Sequence, residues 1–200
     1  MSSIAKIMIY DCEIKKAILG RNGIHSPGVE YCEGWHDFKG MGVSVIGVYD
    51  YEDERYRIFM DDNYNEFNQM VNDYDIVVGF NSMAFDNKLC EANEIAFSNE
   101  KTYDLIVEMW AAMGLGPVYD YKTHGGLSLD ATCVANFGHG KSNSGANAPI
   151  MYQRRQYGAL IDYCLDDIRW TKRLFDRVLL DGFLITPKNQ STILRMRSPF

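Results

Sequence analysis

Residues 4–10, IAKIMIY, form a short and nearly continuous apolar run, the pattern of a buried strand. Residues 42–49, GVSVIGVY, are rich in Val and Ile and predict a second strand. A polar turn at 50–54 returns the chain into a third strand over 55–60, which gives an antiparallel meander. The period then changes. Tyr64, Phe67, Met70 and Val71 recur at helical spacing over 63–72, and DIVVG at 75–79 is an unbroken apolar run of the kind found in parallel strands. Helices are expected over 84–95 and 127–137. Residues 103–113 start as a strand and continue as a helix. One long helix is expected from 151 to 180, where Ile161, Leu165, Ile168, Phe175, Val178 and Leu179 follow the 3.6 period up to Gly182.

Two stretches break the pattern. Residues 14–40 contain Gly20, Gly23, Pro27, Gly28, Gly34 and Gly40 and predict a long loop insertion. Residues 138–149, GHGKSNSGANAP, predict another loop. The segment after Pro187 is net basic through Lys188, Arg195 and Arg197, and is expected to fray or to dock on a partner. Three antiparallel strands followed by strands alternating with helices make an α/β domain, a mixed sheet with helices packed on it. The expected organisation is one domain over 1–187 and a basic tail over 188–200.

Composition narrows the class. The chain has 200 residues, 46% hydrophobic and 24% charged, enough to bury a core without disulfides. Five cysteines, an odd number with no CxxC pair, read as free thiols and point to the cytoplasm. No stretch nears the roughly 18 apolar residues of a membrane span, and the short N-terminal run does not make a signal peptide. The net charge of −7 argues against binding nucleic acid by bulk charge alone. It leaves open an enzyme whose acids recruit divalent cations.

The acids at particular places carry the chemistry. Asp11 and Glu13 close the first strand at i, i+2 and so share one face of an extended chain. Side by side they repel, and a hard divalent cation reverses the sign of that interaction. Asp86 follows the buried strand at 75–79 and opens a helix, the place where sites gather in open α/β sheets. Its position in a helix's first turn also explains it without chemistry. Tyr163 and Asp167 lie four apart on the last helix and point the same way. A phenol beside a carboxylate can orient a water.

Taken in order, Asp11-Cys12-Glu13, then Asn81 through Phe85-Asp86, then Tyr163 to Asp167 resemble the three motifs of the DEDD family of 3′–5′ exonucleases, in its tyrosine-containing branch. The resemblance covers residues 4–180. It implies a ribonuclease H-like fold with helices on both faces of the sheet. It also implies two divalent metal ions, Mg²⁺ or Mn²⁺, held by Asp11, Glu13, Asp86 and Asp167, with Asp11 bridging them and Tyr163 positioning the attacking water. Two such ions stabilise the attacking and leaving oxygens of an in-line displacement. The implied activity is hydrolysis of the terminal phosphodiester at single-stranded 3′ ends, DNA more than RNA, releasing nucleoside monophosphates.

Other residues fit more loosely. Asn81 and Phe85 would shape the substrate cleft, and Phe85 is equally a core residue. Asp104 matches an acid that starts the element after the second motif, in a supporting role. Residues 127–141 resemble the helix and loop before the third motif, and Lys141 either reaches a substrate phosphate or is a solvated loop lysine. Basic residues among aromatics can hold a single strand, so Lys15, Lys16, Arg21 and Trp35 make the 14–40 loop a candidate substrate lid. The same loop, or the tail, is a candidate surface for a protein partner.

Two rival functions remain at this level. One is a structure-specific endonuclease of the same fold, against which Tyr163 stands. The other is a non-catalytic nucleic-acid-binding or assembly subunit, against which the four intact acids stand. GHGKS at 138–142 fails as a phosphate-binding P-loop because position 135 is Ala and no strand precedes it. Cys12, His25, Cys32 and His36 have no recognised zinc spacing.

Overall fold

A computed structural model of the chain describes residues 5–20, 23–95, 97, 99–141, 147–188 and 192–200. Its centre is a five-stranded sheet in the order β3-β2-β1-β4-β5. The strands are β1 (Ile7–Ile14), β2 (Val43–Asp50), β3 (Arg55–Phe59), β4 (Ile76–Gly79) and β5 (Thr102–Asp104). β1, β2 and β3 pair antiparallel, whereas β4 joins β1, and β5 joins β4, in parallel. This is the mixed sheet that the hydrophobic pattern predicts.

Helices cover both faces. α1 (Phe38–Met41), α2 (Tyr64–Asn72) and α3 (Asp86–Ala92) belong to one layer, and α4 (Leu105–Ala112), α5 (Leu129–Phe137), α6 (Ala148–Gln153) and α7 (Tyr157–Asp181) to the other. The alternation along β1 sorts its side chains between them. Met8, Tyr10, Cys12 and Ile14 join the core with Phe67, Val71, Leu89 and Cys90 of α2 and α3. Ile7 and Ile9 join the core with Leu160, Cys164 and Ile168 of α7. Asp11 and Glu13 share the parity of Ile7 and Ile9, so they rise from the sheet on the α7 side.

Three features differ from the sequence expectation. The helix expected over 151–180 is two helices. The chain breaks between α6 and α7 at Arg155, which sits in the left-handed region at φ 56°, and α7 begins only at Tyr157. Helix α3 begins at Asp86 and not at 84, because residues 81–85 form the turn out of β4. The basic tail also returns to the body of its own chain. After β6 (Phe183–Ile185), β7 (Ile193–Arg195) pairs antiparallel with it, Leu194 and Met196 are buried, and the Tyr103 hydroxyl donates to the Arg197 carbonyl at 2.6 Å. Arg21 of the candidate lid and Ser142 of the GHGKS loop lie outside the described residues. Among the described residues no helix is long and apolar enough to cross a membrane.

Candidate metal centre

The site forms where β1 loses its parallel neighbour. β4 pairs with β1 only over Ile7–Ile9, and the chain then turns away through Asn81, which adopts φ 65°. The turn is tied down by Asp104 at the end of β5. Its buried carboxylate accepts N–H bonds from Asn81 at 2.8 Å and Met83 at 2.9 Å. It also caps α4 through Ile106 N–H at 3.1 Å. Asp104 is therefore the clamp of the β4–α3 turn and not a member of the metal cluster.

That turn delivers Asp86 to the open edge of β1. Asp86 is buried, and its Oδ1 accepts the Cys12 backbone N–H at 3.0 Å, a donor left over where the sheet ladder ends. On the other side of the same strand segment, α7 supplies Tyr163 and Asp167. Both belong to the helix's buried stripe together with Leu160, Cys164, Ile168 and Thr171. A carboxylate within an apolar stripe is costly unless an opposite charge or a metal ion pairs with it, and further acids beside it add to the cost.

What faces it is Asp11 and Glu13. Carboxylate oxygens of Asp11, Glu13 and Asp167 lie within 4.8 Å of one another, the one cluster of metal-ligating side chains among the described residues. Cys12, Cys32 and the histidines form no such group. Burial raises the carboxyls of Asp11 and Glu13 well above the usual range, and the charges of their acidic neighbours raise them further. For Asp11 the first of those neighbours is Asp86, then Asp167. Burial likewise raises Asp86 and Asp167.

Lys141 is the local counter-charge. Its Nζ donates to Asp167 Oδ2 at 2.5 Å and to the Tyr163 hydroxyl at 3.0 Å, and its own N–H is held by Asp130 Oδ1 at 2.8 Å. The solvated-loop alternative for Lys141 is thus replaced by a shielded ion pair, with the side chain 15% exposed. One ammonium does not neutralise four acids. Asp167 Oδ1 remains buried without a hydrogen-bond partner among the described residues. A crowd of hard oxygens, one of them orphaned, fits divalent ions such as Mg²⁺ or Mn²⁺.

Asn81 and Phe85, from the turn that leads into Asp86, line a cleft of about 810 Å³ together with Trp35, Phe38, Trp110 and Tyr119, among others. Phe85 meets Trp35 edge-on at 6.5 Å and Phe38 at 5.9 Å, so it is a wall of the cleft and a packed residue at once. Trp35, from the 14–40 loop, is 65% exposed at the rim. Trp110 is buried, and its indole N–H has no partner among the described residues. Lys15 is occupied elsewhere, paired with Asp61 at 2.5 Å and placed over the Tyr152 ring. Lys16 is half-exposed on the same loop.

One positioning residue lies outside the acid motifs. Gly47 of β2 sits opposite Asp11, and a β-carbon there would come within 2.3 Å of Ile168 Cδ1 and 2.9 Å of Cys164 Sγ. Its absence lets α7 lie close to the sheet. The readable signal was an isolated glycine inside a strand, which marks close approach.

No protein-family model matches the chain, and no curated protein matches it in sequence. Among solved structures it resembles the family B DNA polymerase of the hyperthermophilic archaeon Pyrobaculum calidifontis, with a TM-score of 0.59 and 18% identity over 88% of this chain. The chain spans 25% of that polymerase's length. At this identity the likeness speaks for the fold. The mixed five-stranded sheet between helical layers is compatible with the ribonuclease H-like fold.

Proposed function

We propose that the chain is a metal-dependent 3′–5′ exonuclease that removes nucleotides from single-stranded ends, DNA in preference to RNA, and releases nucleoside monophosphates. The observation that carries this reading is the convergence of Asp11, Glu13 and Asp167 within 4.8 Å, with Asp86 fixed against the same strand. The similarity to part of a DNA polymerase supports it at the level of fold.

Asp11, Glu13, Asp86 and Asp167 would hold two divalent ions, whose chemistry is Lewis-acid stabilisation of charge on the attacking and leaving oxygens of the phosphodiester. The protein's own groups do the rest. Burial first, and then the Asp167 charge, raise the Tyr163 phenol well above its ordinary value. It stays neutral at working pH and orients an attacking water by hydrogen bonding without taking its proton. Lys141 carries a full positive charge at the cluster, raised by Asp167 against the opposing effect of burial. It can pass from Asp167 to a substrate phosphate as a charge-assisted donor. The aromatic cleft takes unstacked bases, which a duplex does not offer without opening.

The test is a time course on 5′-labelled DNA and RNA, single- and double-stranded, with Mg²⁺, Mn²⁺ or EDTA. Stepwise shortening from the 3′ end that stops in EDTA is expected. Equal degradation of oligonucleotides with blocked and free 3′ ends would show the direction to be wrong. No metal-dependent cleavage of any of them would remove the nuclease reading.

A further inference from the structure

A second feature runs along the seam between α5 and α7, outside the carboxylate cluster. The 137–141 segment lies against α7. Lys141 reaches Tyr163 and Asp167, and His139 reaches Trp170 and Arg173. Arg173 is exposed. Its guanidinium lies 4.3 Å from the Phe137 ring centre and 4.6 Å from that of Trp170. The two rings are 6.3 Å apart and tilted by 31°, so together they form a shelf beneath it.

The partners of Arg173 are all neutral. His139 Nδ1 lies 2.9 Å from the Phe137 carbonyl, which can only accept. Nδ1 therefore carries the hydrogen, and the Nε2 lone pair faces Arg173 NH1 at 3.5 Å. On the same helix Lys172 pairs with Asp176 and Arg177 with Asp181, while Arg169 lies over the Tyr56 ring. Among the described residues no carboxylate pairs with Arg173. It is a fixed and uncompensated positive charge in a chain of net charge −7. The rings cover a face of the guanidinium, while most of its five in-plane N–H donors stay open.

We infer that Arg173, set on Phe137 and Trp170 and steadied by His139, is a binding station for a backbone phosphate of single-stranded nucleic acid. The inference rests on the nuclease reading above for the identity of the strand. A planar fork with open donors matches a phosphate bidentately. Arg173 is six positions beyond Asp167, about 9 Å along the helix axis and about 120° around it. The 137–141 segment touches both, through Lys141 and through His139, so a strand that follows this segment would pass from the carboxylates to the shelf. Holding it by a few fixed charges also reconciles nucleic-acid binding with an acidic protein.

The test is fluorescence anisotropy of a labelled single-stranded oligodeoxynucleotide in EDTA over a series of salt concentrations. The proteins are wild type, Arg173→Gln, Arg173→Lys and, as a control, Arg55→Gln, whose arginine pairs with Asp53. Arg173→Gln should weaken binding about five- to tenfold at low salt and lower the slope of log K against log salt by about 0.7, the share of one phosphate on a single strand. Arg173→Lys should restore the slope but only part of the affinity, and Arg55→Gln should match wild type. Wild type that does not bind, or an Arg173→Gln slope equal to wild type, overturns the inference. Poly-glutamate that displaces the strand as well as an unlabelled oligonucleotide of equal charge overturns the nucleic-acid assignment. Cleavage of the same oligonucleotide in Mn²⁺ is scored separately. Its failure removes the nuclease reading and leaves the Arg173-dependent binding intact.

Discussion

Gly47 and Asp11 face each other across the antiparallel pair β1–β2, and the missing side chain of one sets the surroundings of the other. With nothing above Gly47, Ile168 and Cys164 pack down onto the sheet. The turn of α7 that contains them carries Asp167 toward Asp11 and Glu13. Replacing Gly47 by Ala should lift α7 locally while the chain still folds. Misplacing a reacting group by about 1 Å can cost roughly a hundredfold in rate. We expect that order of loss in nuclease turnover with an unchanged far-ultraviolet dichroism spectrum. Full activity in Gly47→Ala would mean that the close contact does not position the site.

The crowded acids weaken the metal-free protein. Asp11→Asn removes one charge from the cluster and should raise the melting temperature in EDTA by about 2–4 °C, the equivalent of roughly 1 kcal/mol for a chain of this size. If the proposed function holds, Mn²⁺ should stabilise wild type, and the same variant should lose nuclease activity and most of that stabilisation. A destabilised Asp11→Asn in EDTA would contradict the repulsion argument.

The same repulsion fixes a pH dependence. Burial, then neighbouring charges, raise Asp11 and Glu13, and burial also raises Asp86 and Asp167. The folded state therefore keeps protons that the unfolded chain releases above about pH 4. Stability must fall as pH climbs through the raised folded values. In EDTA the protein should melt at a higher temperature at pH 5 than at pH 8, and Asp11→Asn should flatten the difference. Scanning calorimetry across that range checks the sign.

Tyr163→Phe deletes one hydroxyl and keeps the ring in the α7 stripe. Lys141 loses one of its two acceptors, and the proposed hydrogen bond to the attacking water is lost. Turnover should drop by roughly a hundredfold, while the Mn²⁺-induced shift in melting temperature stays close to wild type. An equal loss of metal-linked stabilisation would place the phenol among the ligands instead.

Trp35→Ala tests the rim of the aromatic cleft. Stacking on an aromatic side chain contributes about 1–3 kcal/mol per base. KM for single-stranded oligonucleotides should rise at least several-fold with little change in kcat. An unchanged KM would make Trp35 a bystander of the 14–40 loop.

Much of the fold is legible because period and burial agree. β1, β2 and β4 announce themselves by runs of Val and Ile, β3 by the return across a polar turn, and Tyr163 and Asp167 stand out at helical spacing. The break at Arg155 does not, since an arginine forced into the left-handed region carries no glycine or proline to mark it. The β6–β7 hairpin is equally silent, because three residues per strand give periodicity too little length. Asp104 and Lys141 are visible as residue types, but their partners lie 23 and 26 positions away. Only the fold reveals which of them is a clamp and which a counter-ion.

Alternation along β1 also links folding to the site. Odd positions carry Ile7, Ile9, Asp11 and Glu13, and even positions carry Met8, Tyr10, Cys12 and Ile14. A one-residue slip in pairing would turn both carboxylates into the Phe67–Leu89 core and present a thiol to Asp167. Such a chain would be too unstable to persist. A slipped copy would therefore be lost to unfolding and not persist with its acids misplaced, so the placement of Asp11 and Glu13 is guarded by the strand's own register.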